Sequence, residues 1–444
     1  MSLFLGLVLA ASIDGEAALR HASALAALGP HPWGSPRNTA AAQYVAAGFR
    51  EAGLTEVDRQ GFERHGIRGN NVIATLRAPS EEIVVVCAHH DTAPGSPGAY
   101  DDGGGVGVLI ELARVMAQEP TRTRTMVFAS FDGEEAWSTG LGQTAGSREW
   151  IEKLGPEARR IVAVLDVEMS GWSGGAPVVH PIAYPDPRRA GRPVVAPGWL
   201  VRAVLAGAKE GGAPLGVGDP RLSWIYQPTV RTFRARLYGD DLSFLQAGLP
   251  AVMVSDSSFT AFYPHYHRPA DTPDKLDAAA LERMGSGLLG ALRVLDRLPR
   301  GPSEDPHWFS ALGQVFGSTP LLALAAVSVL PGLRTGVAGG GPVLLARVLQ
   351  AALFGLLFWR HPIPALWIFL LPNIVLPLGR ARWASALAVT PALALLALGT
   401  AGWVRGLVTG AWLAPWEIVV AILTLALAFI RPARSKKAKK TRRR

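Results

Sequence analysis

The sequence predicts an α/β fold: a three-layer α/β/α domain with a mostly parallel mixed sheet over residues 13–300, followed by an all-α, multi-span membrane domain over 308–430. Three observations predict it. Up to residue 298, apolar runs of strand length alternate with segments of helical periodicity, the pattern of a parallel sheet covered by helices on both faces. Beyond about residue 305 acids nearly vanish, so the positive mean hydropathy of +0.21 averages two unlike halves. Finally, five segments rich in Asp, Glu and His fall where a strand should end or a loop should turn, and ligands of open α/β sheets collect at such ends.

The elements follow in order. EAALRHASALAAL and NTAAAQYVAAGFREAG have helical periodicity; NNVIATL and EEIVVVCAHH read as strands. VGVLIELARVMAQ is a helix, TRTMVFASFD a strand, AGSREWIEKL a helix and RIVAVLDVEM a strand. WLVRAVLAGAKEGG and DLSFLQAG are helical, PAVMVSDS is a strand, and DAAALERMGSGLLGALRVLDRL closes the domain as a long helix. The apolar stretch 2–12 is too short to span a bilayer and reads either as the core of a secretion signal or as the start of the first helix.

Residues 301–307 form a polar, Pro-containing linker. Five hydrophobic segments follow, at 308–333, 335–359, 361–379, 383–404 and 406–430, the second weakened by a Gly run and Arg347. The net charge of +9 resides in the tail, residues 431–444, which carries nine Lys/Arg and no acid. A basic run after an apolar segment marks a cytoplasmic membrane flank, so no nucleic acid partner is expected. With five spans the α/β domain would be extracytoplasmic, the tail cytoplasmic, and the chain a multi-pass protein with the lipid bilayer as partner. The single cysteine, Cys87, lies in an apolar run and excludes an internal disulfide framework.

The motifs are AHHDT (88–92), GAYDDGGG (98–105), FDGEEA (131–136), LDVEMSG (165–171) and HYHRPADTPDKLD (265–277). Their donors are those that borderline metals such as zinc accept. His89 can place an imidazole on a metal with the Asp91 carboxylate behind it; the alternative is a loop histidine bonded to its neighbours, with His90 a rival. Asp101 can bridge two metals while Asp102 serves the following helix as a cap. Of Glu134 and Glu135, one can ligate while the other accepts a proton. Asp166 and Glu168 share a face of a buried strand, where acids are costly unless paired or metal-bound. Asp271 and Thr272, beside His265 and His267, also suit the cap of the last helix.

Taken together, the motifs over about residues 30–298, beginning with HPWGSPRNTAAAQYV, resemble the co-catalytic zinc aminopeptidase family, which includes glutaminyl cyclases. The resemblance implies His89, Asp101, Glu135, Glu168 and His267 as metal ligands, with Asp101 bridging. It makes Glu134 the general base and Asp91 the residue that orients His89. Asp240, in YGDDLSFLQAGLPAV, would support the ligands from behind. The implied cofactor is Zn2+, two ions per chain or one. The implied reaction is hydrolysis of the N-terminal bond of peptides or proteins by metal-activated water. Two departures stand out. Glu168 occupies the family's usual aspartate position, which Asp166 matches only with a two-residue slip, and WSTGLGQTA intervenes before GSR (146–148). The second departure is similar to the single-zinc glutaminyl cyclases, which cyclise N-terminal glutamine. A third reading is an inactive receptor-like or scaffold domain. The predicted spans resemble membrane-bound members such as the endoplasmic reticulum metallopeptidases.

Overall fold

In chain order the helices are α1 (Gly15–Ala26), α2 (Pro36–Glu51), α3 (Gly104–Gln118), α4 (Ala145–Leu154), α5 (Gly198–Glu210), α6 (Asp241–Ala247), α7 (Ala278–Arg297) and α8 (Gly341–Arg360). The strands are β1 (Glu56–Arg64), β2 (Ile67–Leu76), β3 (Ser80–His89), β4 (Arg124–Phe131), β5 (Ile161–Val167), β6 (Val178–His180), β7 (Ala183–Pro185), β8 (Pro193–Val195), β9 (Gly216–Val217), β10 (Ala251–Ser255), β11 (Phe309–Ala311) and β12 (Gln314–Phe316). The structure, a computed structural model, describes residues 12–139, 144–180, 183–185, 193–218, 239–258, 261–302, 308–311, 314–316, 341–360 and 422–423.

One mixed sheet organises the first part of the chain, in the order β1-β2-β4-β3-β5-β10-β6-β9. Its centre, β4-β3-β5-β10, is parallel; β1, β2 and β6 add antiparallel pairings at the flanks. Every residue of β4, β5 and β10 is buried, as expected for parallel strands covered on both faces. Side chains alternate between the two faces. Val84, Val86, Met126, Phe128, Leu165 and Val252 join one core cluster with Phe49, Leu109, Leu200 and Leu288 from α2, α3, α5 and α7. Val85, Cys87, Val127, Phe131, Val164 and Met253 join another with Trp150 of α4 and Phe244 of α6. Three layers result.

Local signals fix the helix ends. Asp14 and Ser35 accept from the amides of Ala17 and Asn38 to cap α1 and α2. The cap of α7 is Asp277, which accepts from Ala279 N at 2.7 Å. Asp271 and Thr272 are not the cap, because a 3-10 turn, Pro273–Lys275, separates them from the helix.

The chain divides into two compact units, Met1–Tyr184 with Val194–Phe316, and Pro185–Pro193 with Gly317–Arg444. In the second, α8 buries Ala346, Gln350 and Phe354 and exposes Leu345, Val348 and Leu349. Among the described residues no helix is long and apolar enough to cross a membrane. This overturns the expected multi-span membrane domain at 308–430, and with it the bilayer as partner and the multi-pass localisation. A span needs about 20 mainly apolar residues; the α8 sequence is interrupted by Arg347 and Gln350 and ends on Arg360. Apart from α8 and the short pieces named above, the predicted spans lie outside the described residues, as do the tail and residues 1–11.

Candidate metal centre

The parallel strands end along one edge of the sheet, and the polar side chains gather there. His89 is the last residue of β3, Glu168 follows β5, and Glu134 and Glu135 lie on the turn three residues past β4. Asp101 stands on the turn that leads into α3, its peptide bond to Asp102 being cis. His267 comes from the loop before α7.

Their donor atoms form three overlapping groups, each within 4.8 Å: His89, Asp101 and Glu168; Asp101, Glu135 and His267; and His89, Glu134 and Glu135. His89 Nε2 is 3.4 Å from Asp101 Oδ1 and 3.6 Å from Glu168 Oε2. His267 Nε2 is 3.0 Å from Asp101 Oδ2 and 2.7 Å from Glu135 Oε1. The two oxygens of Asp101 thus face different imidazoles, as a bridging carboxylate requires.

Hydrogen bonds from the chain fix each donor. His89 Nδ1 lies 3.0 Å from the carbonyl oxygen of Asp91, so Nδ1–H donates there and Nε2 faces the acids. The Asp91 carboxylate, 3.6 Å from the same nitrogen, also accepts from the amides of Glu134 and Glu135, at 3.0 Å each. Asp91 therefore joins the histidine turn to the glutamate turn. Asp102 accepts from Gly105 N at 3.1 Å and Met169 N at 3.0 Å, a cap and a brace. A Cβ at Gly105 would lie 2.3 Å from that carboxylate, so only glycine fits. Asp271 accepts from Tyr100 N at 2.8 Å and Asp101 N at 3.3 Å, and so orients the bridging residue.

The electrostatics are those of buried acids around two imidazoles. Burial pushes the Glu134 and Glu168 carboxyls well above the usual carboxylate range, and nearby carboxylates add to this. Burial also pushes Asp101 up, but His267 and His89 outweigh it and hold that acid below its ordinary value. Burial lowers His267, but Asp101 and Glu135 outweigh it and raise it to about 9. So much buried carboxylate calls for cationic partners. Among the described residues, buried His89 Nε2, Glu134 Oε1 and Glu168 Oε1 have no hydrogen-bond partner. These imidazole and carboxylate donors fit zinc, and the groups fit two ions that share Asp101.

The rival His90 turns away: its Nδ1 bonds Ser130 Oγ at 2.9 Å, and burial lowers its pKa to about 3, leaving it neutral. Asp166, the slipped alternative to Glu168, accepts from Asp241 N at 2.9 Å and the Cys87 thiol, behind the site. Asp240 is fully buried at the start of α6, and its charge contributes to the raised pKa of Glu134. Two residues escaped the sequence reading. Tyr266 stacks on the His267 ring with centroids 3.6 Å apart; its place beside that histidine was the available signal. Asp256, in VSDS after β10, gave no signal beyond a loop acid.

Fold and site together define a co-catalytic metallohydrolase with its centre at the carboxyl edge of a parallel sheet. The chain belongs to peptidase family M28, whose profile matches residues 71–292, half of its length. By class it is a zinc metallopeptidase of the aminopeptidase type. It is 26% identical over 276 residues to the uncharacterized protein YfbL of Escherichia coli K12, spanning 56% of this chain and 78% of YfbL. It is 26% identical over 242 residues to endoplasmic reticulum metallopeptidase 1 of Mus musculus, spanning 53% of this chain but only 23% of that relative. Its fold is similar to that of glutaminyl cyclase from Porphyromonas gingivalis, with a TM-score of 0.51 and 22% identity, over 63% of this chain and 98% of the cyclase.

Proposed function

We propose that the unit 13–300 hydrolyses the N-terminal peptide bond of peptides or proteins at a two-zinc centre. His89, Asp101 and Glu168 would hold one ion, and Asp101, Glu135 and His267 the other. The observation that supports this reading is that both donor groups are complete around one shared carboxylate. A single-zinc glutaminyl cyclase would need only one of them, and an inactive scaffold neither.

When bound, the ions would polarise the scissile carbonyl and lower the pKa of the attacking water. Glu134 would take the proton of that water and return it to the leaving amine. Asp91 fixes the backbone of the base and of its neighbouring ligand through their two amides.

Glu134→Gln keeps the size of the side chain and removes the base. It is expected to lower kcat by about 10²- to 10⁴-fold while both zinc equivalents remain. A panel of aminoacyl substrates tests the reaction itself. Release of N-terminal Leu or Ala is expected; turnover confined to N-terminal Gln, with a cyclic product, would replace this reading by the cyclase.

A further inference from the structure

Glu168 is presented by an unusual turn. Directly after it Met169 has φ +45 and Gly171 has φ +107. A left-handed methionine is strained and persists only where its surroundings over-determine it. Those surroundings centre on Asp256, just past the end of β10. One carboxylate oxygen of Asp256 accepts from Gly171 N at 2.7 Å and Trp172 N at 3.0 Å. The other accepts from Tyr100 OH at 2.5 Å, and Tyr100 immediately precedes Asp101. The backbone of Asp256 adds two bonds, its amide to Met169 O at 3.3 Å and its carbonyl from Ala176 N at 3.1 Å. The Tyr100 hydroxyl is also 2.8 Å from Ser257 Oγ, and its ring packs on Tyr263 with centroids 4.2 Å apart. Asp256 is 2% exposed, and its hydrogen bonds go to Tyr100, Met169, Gly171, Trp172 and Ala176.

We propose that Asp256 is a positioning residue for the His89–Asp101–Glu168 half of the centre. Its one carboxylate ties the turn that carries Glu168 to the residue that precedes Asp101, and so sets the separation of two ligands, one just past β5 and one on the turn into α3. The other half depends on it less: Glu135 is fixed through Asp91, His267 stacks on Tyr266, and the amide of Asp101 is held by Asp271. Partners one step behind a ligand typically alter metal affinity by about 10- to 100-fold when removed. Here that loss is directed at one of two positions.

The inference rests on the two-zinc reading, and its test separates the two. The full-length chain is stripped with a chelator and titrated with zinc, with bound metal counted by elemental analysis, for wild type, Asp256→Asn and Tyr100→Phe. Wild type is expected to take two equivalents. In Asp256→Asn the first should bind as in wild type and the second about 10- to 100-fold more weakly, recovering in excess zinc. Tyr100→Phe should give a smaller shift of the same kind. Two equivalents held as tightly as wild type in both variants overturn the proposal and leave the two-zinc reading standing. Equal weakening of both equivalents overturns it as well, because the effect is then global. If Asp256→Asn does not fold, Tyr100→Phe decides alone by the same criteria. A wild-type chain that takes only one equivalent removes the two-zinc reading and the proposal together.

Discussion

His89 and Glu168 stand at the ends of the adjacent strands β3 and β5 and are 1% and 2% exposed, whereas His267 stands on a loop, at φ +56, with 18% of its side chain exposed. One half of the centre inherits its geometry from a sheet buried on both faces. The other is assembled from a turn and a loop by hydrogen bonds and a stacked tyrosine. The contrast teaches that identical ligand chemistry can rest on supports of different stiffness. The strand-built half should be the costlier to disturb and the loop-built half the easier to open.

The largest expected effect comes from removing one imidazole from each half. His89→Ala leaves Asp101 and Glu168 as buried acids without their shared partner, and breaking such a buried set costs about 3–5 kcal/mol. His267→Ala opens a partly exposed position that water can fill. Each variant should lose one zinc equivalent, but thermal unfolding of the metal-free chain should fall much further for His89→Ala. Equal losses would break the comparison.

A smaller effect is expected where the halves meet. Asp91→Asn keeps the carbonyl that receives His89 Nδ1 but offers only one acceptor to the amides of Glu134 and Glu135. Activity should fall about 10- to 100-fold with both zinc equivalents kept. Loss of metal instead would mean that the 3.6 Å contact of the carboxylate with His89 also holds that ligand.

The smallest effect is in pH. Burial raises Asp241 and Asp256 to about 7, far above the 3.8 of an exposed aspartate. A raised folded-state pKa stabilises the fold below the unfolded value and loses that contribution as pH rises through the folded one. His267, raised to about 9, acts in the same direction at higher pH. The Tm of the metal-free chain should therefore fall as pH rises through about 7. A Tm that rises over this interval would contradict the burial of these acids.

How much was legible follows from what each segment has to do. Strands β3, β4, β5 and β10 were readable because strands covered on both faces must be apolar runs. Strand β1, EVDRQGFER, went unread because it is a polar edge strand with one buried residue, and β6 and β9 are too short to show a period. The proposed ligands could be picked out because acids and imidazoles stand where strands end or loops turn, and Asp102 accepts from Gly105 N in the first turn of α3. What stayed hidden was the support. Asp91 braces through backbone amides 43 and 44 residues away, and Asp256 through a tyrosine 156 residues away, and no local pattern encodes such partners. The apolar second half misled for a different reason: hydropathy reports composition, and among the described residues no helix there is long and apolar enough to cross a membrane.

The measurement that tests the central claim most directly is zinc stoichiometry of the purified chain beside His89→Ala and His267→Ala. Two equivalents in the wild type and one in each variant are expected of two half-sites that share Asp101. One equivalent in the wild type, unchanged in His89→Ala and lost in His267→Ala, would contradict the account.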